Sequence, residues 1–139
     1  MSSLQLFLLI YLGVLAVVLL RKLRRTHSET RREKSEELRL LEEVAGWLSR
    51  IPKGRVITYP RLVRKTSIDD PAHVARLVQH MMEHPTERSA PWWRVVRKKG
   101  TFGLLLGKGH DATQKQNLTS EGIAFGENGL PLEKFEWRV

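Results

Sequence analysis

The sequence predicts a small α+β domain, a winged helix-turn-helix, placed behind a single N-terminal transmembrane helix. Three observations predict it. The first 20 residues include a long apolar run without charge, two short helical patterns then follow one another across a tight connection, and β-prone residues come after them. A chain of 139 residues has room for one such domain besides an anchor. We therefore divide it into an anchor at residues 1–20, a basic tether at 21–35 and the domain at 36–139.

The anchor is predicted from residues 4–20, LQLFLLIYLGVLAVVLL, which carry no charge. As a helix they would span about 25 Å, at the short end of what crosses a bilayer core of about 30 Å. Basic residues stay on the cytoplasmic side of a membrane, and Arg21, Lys22, Arg24 and Arg25 follow the run directly. The domain is therefore expected in the cytosol or nucleoplasm, at the nuclear envelope, the ER or the outer mitochondrial membrane.

Two alternatives to the anchor stay open. A cleaved signal or transit segment is one, although no basic residue precedes the run and a basic cluster stands where a cleavage site needs small residues. A buried core helix is the other, since the run is apolar all round.

The charge of the chain is +9 and divides into two parts. Residues 21–39 hold eight basic and four acidic residues, net +4, and residues 40–139 hold sixteen basic and eleven acidic residues, net +5. Such an excess suggests a polyanionic partner, either a nucleic acid or an anionic lipid surface. The tether is either solvated or in contact with lipid headgroups. The absence of cysteine excludes a disulfide framework, a thiolate zinc site and a cysteine nucleophile.

Three helices are predicted in the first half of the domain. Ser35 is suited to cap the first and Thr58 the second, while Asp69 and Asp70 before Pro71 mark the start of the third. The predicted helices run from residue 36 to 51, from Tyr59 to Lys65 with Pro60 in the first turn, and over about 71–83, with a β-prone pair at Val56 and Ile57.

The second half of the domain is predicted to be mixed. The expected elements are a strand within residues 91–96, a turn at 98–100, a second strand at 101–106, a helix at 112–121 that Gly122 stops, and an extended tail at 135–137. Two short helices followed by a β-element fit a winged helix-turn-helix.

Three segments carry more specific information: IPKGRVITYPRLV at residues 51–63, ARLV at 75–78 and PWWRVV at 91–96. In this order and at this spacing they resemble the DNA-binding domain of the O6-alkylguanine-DNA alkyltransferases, over about residues 40–139. The enzymes carry their alkyl-accepting cysteine where this chain has Trp92. That replacement resembles the alkyltransferase-like proteins, which bind alkylated guanine without repairing it. The resemblance implies a non-enzymatic DNA-repair protein that binds duplex DNA, needs no cofactor or metal, and has repair proteins as further partners.

The resemblance also implies how the DNA would be held. A base must leave the stack to be inspected. A tyrosine at the Tyr59 position crowds its phosphate, and an arginine at the Arg76 position fills the gap in the minor groove, since a planar guanidinium both stacks and donates hydrogen bonds. Trp92 would supply an aromatic wall for the base. The other expected contacts are Thr58, Arg97, Lys98 and Lys99 to DNA, and Trp93 and Lys108 in the lesion pocket.

Departures from the family pattern favour a second hypothesis. Trp93 stands where the family usually keeps histidine, so Glu121, which matches the glutamate of the enzymes' cysteine–histidine relay, is expected to lose that role. Gln79 and Met81 are bulky where the family has small residues on the helix that approaches DNA, and Leu105 stands near a basic pocket position. The alternative is a membrane-anchored winged-helix protein-interaction module that has lost DNA binding.

A rival motif lies at His80-Met81-Met82-Glu83-His84, which has the HxxEH spacing of inverted zinc proteases. A chain of this length has no large catalytic domain to supply a third ligand and a substrate cleft. We therefore expect surface histidines that share one helix face with His73 and bind metal at most adventitiously.

Overall fold

The computed structural model describes residues 2–87, 89–96, 111–127 and 133–138. The chain divides into two compact units, one that ends at Arg39 and one that begins at Leu40. The first helix, α1, covers Ser3–Arg50 and so supplies all of the regular structure of the first unit.

A reciprocal pair of hydrogen bonds starts α1. The backbone N–H of Gln5 donates to the Ser2 hydroxyl at 3.3 Å, and the Ser2 N–H donates to the Gln5 side-chain oxygen at 3.0 Å. This arrangement is a capping box, which satisfies two N–H groups that a helix start otherwise leaves without partners.

The predicted helix start at Ser35 is wrong, because Ser35 lies inside α1. Residues 21–39 contain neither proline nor glycine and are rich in Arg, Lys and Glu, which are good helix formers. The hydroxyls of Thr26 and Thr30 are satisfied by the carbonyls of the preceding turn, each at 2.9 Å, and Glu36 pairs with Arg39 at 2.6 Å. Nothing in this stretch therefore stops a helix that has already begun.

Within the described residues, α1 is the one helix that is long and apolar enough to cross a membrane. No residue of its most apolar window is buried, whereas the core-helix alternative requires burial. A membrane span and a signal segment have the same length and composition, so both stay open.

The second unit places the short elements close to where the sequence predicts them. In chain order they are β1 (Ile57–Thr58), α2 (Tyr59–Lys65), α3 (Pro71–Glu83), a 3₁₀ turn (Trp92–Arg94), β2 (Val95–Val96), α4 (Asp111–Ser120) and a 3₁₀ turn (Glu133–Phe135). The predicted bounds of α2 and α3 are confirmed, and Gly122, with a φ of +86°, follows the end of α4 as expected.

The sheet is small and parallel. Ile57 pairs with Val95 and Thr58 with Val96, while Val56 forms a parallel bridge to Glu136 on the other side. The tail is attached there by hydrogen bonds from Val56 N–H to the Phe135 carbonyl at 2.9 Å and from Trp137 N–H to the Val56 carbonyl at 2.6 Å. The turn expected at 98–100 and the strand expected at 101–106, which would form a wing, lie outside the described residues.

The strand expected within residues 91–96 is Val95–Val96, and the residues before it, Trp92–Arg94, form a 3₁₀ turn. In a strand the side chains of Trp92 and Trp93 would point to opposite faces. Here their rings meet edge to face, with centroids 5.9 Å apart and an interplanar angle of 83°. The tail corrects one prediction, since Phe135 lies in a 3₁₀ turn and the bridge begins at Glu136.

Two apolar clusters form the core of the second unit. The larger one joins α1, α2, α3 and the segment around Trp92, and its fully buried members include Val44, Leu48, Leu62, Val74, Val78 and Met81. The smaller one lies under α4 and comprises Val56, Val96, Leu118 and Ile123. Burial of a side chain of this size contributes about 1.5–3 kcal/mol.

Candidate nucleic-acid interface

The connection between α2 and α3 is fixed at both ends. Glu43 of α1 accepts hydrogen bonds from the backbone N–H and from the hydroxyl of Ser67, both at 2.6 Å. Asp70 caps α3 by accepting from the Ala72 N–H at 3.0 Å. Thr58 occupies the N-cap of α2 without a side-chain capping bond. The connection between α2 and α3 is therefore positioned by two carboxylates, Glu43 from α1 and Asp70 at the start of α3.

Tyr59 lies where the starts of α2 and α3 meet. Its ring packs against the larger core cluster, and its hydroxyl donates a hydrogen bond to the Pro71 carbonyl. Burial raises the pKa of Tyr59 to about 12, and the neighbouring charges of Asp70 and Arg76 act in opposite directions on it. The hydroxyl is therefore neutral at physiological pH and adds no negative charge at the start of α3.

Arg76 is exposed on α3 and lies close enough to Tyr59 for its charge to act on that hydroxyl. Among the described residues its guanidinium makes no hydrogen bond or ion pair. The opposite face of α3 carries the core residues Val74, Leu77, Val78, Met81 and Met82. The two residues expected to rotate a base are thus neighbours, and one of them is a cation turned away from the core.

Trp92 and Trp93 are less exposed to solvent than residues lining an open pocket would be. Trp92 is 7% exposed and belongs to the larger core cluster, and Trp93 is half-buried between both clusters. The other expected contacts, Arg97, Lys98, Lys99 and Lys108, lie outside the described residues. The pocket and the phosphate contacts therefore stay predictions.

Glu121 joins three segments of the domain. It accepts the indole N–H of Trp93 at 2.9 Å, the Arg94 guanidinium at 2.7–3.1 Å, and the Gly54 N–H at 3.2 Å. Its side chain is 7% exposed. Burial by itself raises the pKa of Glu121, but the hydrogen bonds from Arg94, Trp93 and Gly54 outweigh it and hold the pKa below its ordinary value. The carboxylate is therefore charged and fully engaged at neutral pH.

This cluster gives Glu121 a structural place that was not predicted from the sequence. Glu121 was expected to lose its part in the enzymes' relay, and here it accepts a hydrogen bond from the indole of Trp93, which stands at the histidine position. Histidine and tryptophan both carry a ring N–H. A tryptophan at the histidine position can therefore donate to the same carboxylate, and this is the signal that could have predicted the contact.

Three further polar residues position the site and were not expected to do so. Gln114 is 1% exposed, and its amide donates to the carbonyls of Trp93 and Val95 at 2.9 and 2.8 Å. Arg94 also donates to the Ile51 carbonyl at 2.7 Å. Arg61 of α2 pairs with Glu136 at 3.3 Å and so attaches the tail to the helix pair. No local periodicity indicates such long-range contacts.

Gln79 and Met81 were expected to be bulky on the face of α3 that approaches DNA, and only Gln79 lies where this can apply. Met81 is fully buried and points into the core, so its size does not affect the exposed face. Gln79 is partly exposed and donates a hydrogen bond from its amide to Glu83 at 2.8 Å.

The protease-like motif is not reproduced in space. Glu83 is bonded to Gln79 and not placed between the histidines. His80 lies in the last turn of α3, His84 caps the helix, and their rings stack at 4.3 Å. Glu87 lies beside them, with its carboxylate 3.4 Å from the His80 Nε2.

The sequence and the fold both match known proteins. Residues 39–123 match the family described as the 6-O-methylguanine DNA methyltransferase DNA-binding domain. A DNA base-flipping protein of Vibrio parahaemolyticus is 33% identical over 70% of this chain and 95% of its own. Alkyltransferase-like protein 1 of Schizosaccharomyces pombe is 29% identical over 63% of this chain and 84% of its own.

Two solved structures of S. pombe proteins have the same helix-rich α+β fold. Atl1 in complex with damaged DNA that contains O6-carboxymethylguanine matches with a TM-score of 0.57 and 25% identity, over 73% of this chain and 96% of that one. A second complex of the S. pombe protein with DNA gives a TM-score of 0.54 and 26% identity, over 71% and 94%. The chain therefore belongs to the 6-O-methylguanine DNA methyltransferase DNA-binding domain family, as an alkyltransferase-like protein.

Proposed function

We propose that this protein is a non-catalytic DNA-binding protein that holds an alkylated guanine rotated out of the duplex. The observation that carries the proposal is the placement of Tyr59 beside the start of α3, hydrogen-bonded to the Pro71 carbonyl, with the exposed cation of Arg76 on the same helix. The relatives support it, since one is described as a base-flipping protein and Atl1 is bound to damaged DNA.

The helix pair α2–α3 approaches the minor groove in this account. The half-buried, neutral Tyr59 crowds the phosphate of the target nucleotide without repelling it. Arg76 enters the space that the base leaves, where its guanidinium stacks on the neighbouring pairs and donates hydrogen bonds. Unstacking a base costs a few kcal/mol, and it costs least at a damaged pair. This difference gives the protein a preference for the damaged duplex.

No alkyl transfer follows from binding, because the chain has no thiol to accept the group. Trp92 occupies the acceptor position and is the proposed wall of the lesion pocket. Because its ring is 7% exposed within the larger core cluster, it must turn toward the base on binding. Stacking on such a wall contributes about 1–3 kcal/mol per base. Thr58, Arg97, Lys98, Lys99 and Lys108 are the remaining proposed contacts.

The N-terminal part of α1 anchors the protein in a membrane in this proposal. Residues 4–20 are uncharged, and the apolar window of α1 is fully uncovered. The basic residues that follow keep the domain on the cytosolic or nucleoplasmic side. Together with a DNA substrate, this topology favours the inner nuclear membrane over the ER and the outer mitochondrial membrane.

Binding of the full chain, solubilised in detergent, to labelled duplexes with and without O6-methylguanine tests the proposal. We expect tighter binding to the damaged duplex, an affinity that falls with salt, and a loss of about tenfold or more for Arg76→Ala. Arg39→Ala removes the same charge from α1 and is the matched control. Failure to bind even at low salt would contradict DNA binding and leave the protein-interaction module. An Arg76→Ala variant that binds the damaged duplex normally would contradict the role of Arg76 in rotating the base.

A further inference from the structure

We propose that the end of α3 is a binding site for a divalent transition-metal ion, with His80, His84 and Glu87 as its ligands. Each residue offers one ligand atom, and these atoms all lie within 4.8 Å of one another. Histidines four residues apart lie one above the other on a helix, so the spacing brings the two imidazoles to the same side of α3. The turn after the helix then brings the carboxylate of Glu87 to them.

The orientation of His84 favours a ligand role. Its Nδ1 lies 3.0 Å from the backbone carbonyl oxygen of His80. A carbonyl can only accept a hydrogen bond, so this contact places a proton on Nδ1, and in the neutral ring the lone pair is then on Nε2. Metal-ligating histidines are usually oriented in this way, by a hydrogen bond from the other ring nitrogen to a carbonyl or carboxylate.

The distances suit a small tetrahedral ion. Zinc bonds of about 2.0–2.2 Å place neighbouring ligand atoms about 3.3 Å apart. The His80 Nε2 and the Glu87 carboxylate oxygen are already 3.4 Å apart. The rings of His80 and His84 are stacked, 4.3 Å apart with an interplanar angle of 20°, so the ring of His80 must rotate for both residues to reach one ion while His84 keeps its hydrogen bond. His80 and Glu87 are 42% and 63% exposed, so side-chain rotation is sterically open to them.

The ligand set selects the class of ion. Two imidazoles and one carboxylate suit Zn²⁺, Cu²⁺ or Ni²⁺, whereas Mg²⁺ and Ca²⁺ prefer oxygen ligands alone. Three protein ligands leave a fourth position for water. Because Glu83 is bonded to Gln79, the motif supplies no base beside that water, and the site is a structural one. Binding would fasten the turn at residues 85–87 to the last turn of α3.

Titration of the full chain with Zn²⁺ tests the site, using protein in detergent without a histidine tag, by calorimetry and by the visible absorption of Co²⁺. We expect one ion per chain and a rise in Tm on binding. His80→Ala and His84→Ala should each weaken binding at least tenfold, and Glu87→Gln should weaken it measurably. His73→Ala removes a histidine from the same helix and should leave the affinity unchanged.

Two outcomes would overturn the site. One is the absence of Zn²⁺ binding at micromolar concentrations. The other is binding that persists in the His80→Ala, His84→Ala double variant, provided its circular dichroism shows the fold intact. Because the three side chains lie on the surface of the helix end, folding of these variants is expected. The result does not depend on DNA binding, so the two proposals can fail separately.

Discussion

At the scale of single residues, Glu121 shows how the domain keeps its shape after losing the family's reactive pair. Its carboxylate receives N–H groups from Gly54, Trp93 and Arg94, and with Arg94 it forms a pair at 2.7 Å that is largely removed from solvent. A buried carboxylate with three donors stabilises the fold only while it is ionised.

Acid should therefore destabilise the domain through Glu121. Since its pKa in the folded state is lowered, the stabilisation is complete above the ordinary pKa of 4.5 and is lost as pH falls through the lowered value. Glu121→Ala should cost about 3–5 kcal/mol at pH 7 because Arg94 is left buried and unpaired, and it should weaken the acid dependence. Denaturant unfolding from pH 7 to pH 3 measures both. Glu29→Gln, on the exposed part of α1, should change neither; an unaltered pH profile in Glu121→Ala would contradict this role.

The residues that the sequence could predict are those with a local signal. Tyr59 and Arg76 follow from motif order, and in the structure the charge of Arg76 acts on the Tyr59 hydroxyl. The Trp93–Glu121 contact joins residues 28 positions apart, and Gln114 bonds carbonyls 19 and 21 positions away. Contacts of that kind depend on the tertiary fold, so hydropathy patterns and capping signals do not reveal them.

At the scale of elements, α2 and α3 were predictable because a few residues at the start of each helix determine where it begins. Thr58-Tyr59-Pro60 starts α2, and Asp70-Pro71 starts α3. The start at Ser35 was wrong because a good capping residue ends nothing by itself: without Pro or Gly nearby, α1 runs through it. The strands are two residues long and pair across the domain. An alternating hydrophobic pattern cannot define the ends of so short a strand.

Removal of the α3 cap should loosen the element that carries Arg76. Asp70→Ala deletes the acceptor for the Ala72 N–H and should lower the free energy of unfolding by about 1 kcal/mol. Asp69→Ala removes the same charge one residue earlier, where it caps nothing, and should stay within about 0.5 kcal/mol of the natural protein. Urea denaturation followed by circular dichroism compares them. Equal losses in the two variants would mean that charge and not capping matters here.

At the scale of the whole molecule, the +9 charge has two sources that serve different partners in this account. The basic residues of 21–39 lie in α1 directly after the uncharged run, where lipid headgroups would be. The domain contributes the rest, and the proposed DNA contacts Tyr59 and Arg76 lie on α2 and α3.

The proposed membrane anchor predicts where the chain partitions in cells. Full-length protein should stay in the membrane pellet after alkaline extraction, and a variant without residues 1–20 should move to the supernatant. The sequon at Asn117 should carry no glycan, since the domain stays on the cytosolic side. A glycan at Asn117, detected as an endoglycosidase-sensitive shift, would contradict the topology.

The proposed function depends on rotation of a damaged base out of the stack by the protein. A duplex with fluorescent 2-aminopurine beside O6-methylguanine reports this directly, because its emission rises when the neighbouring base unstacks. We predict a saturable rise with the full chain, reduced by Arg76→Ala and by Tyr59→Ala, and no rise on a duplex without the lesion at the same protein concentration. Binding to the damaged duplex without any rise in emission would contradict base rotation.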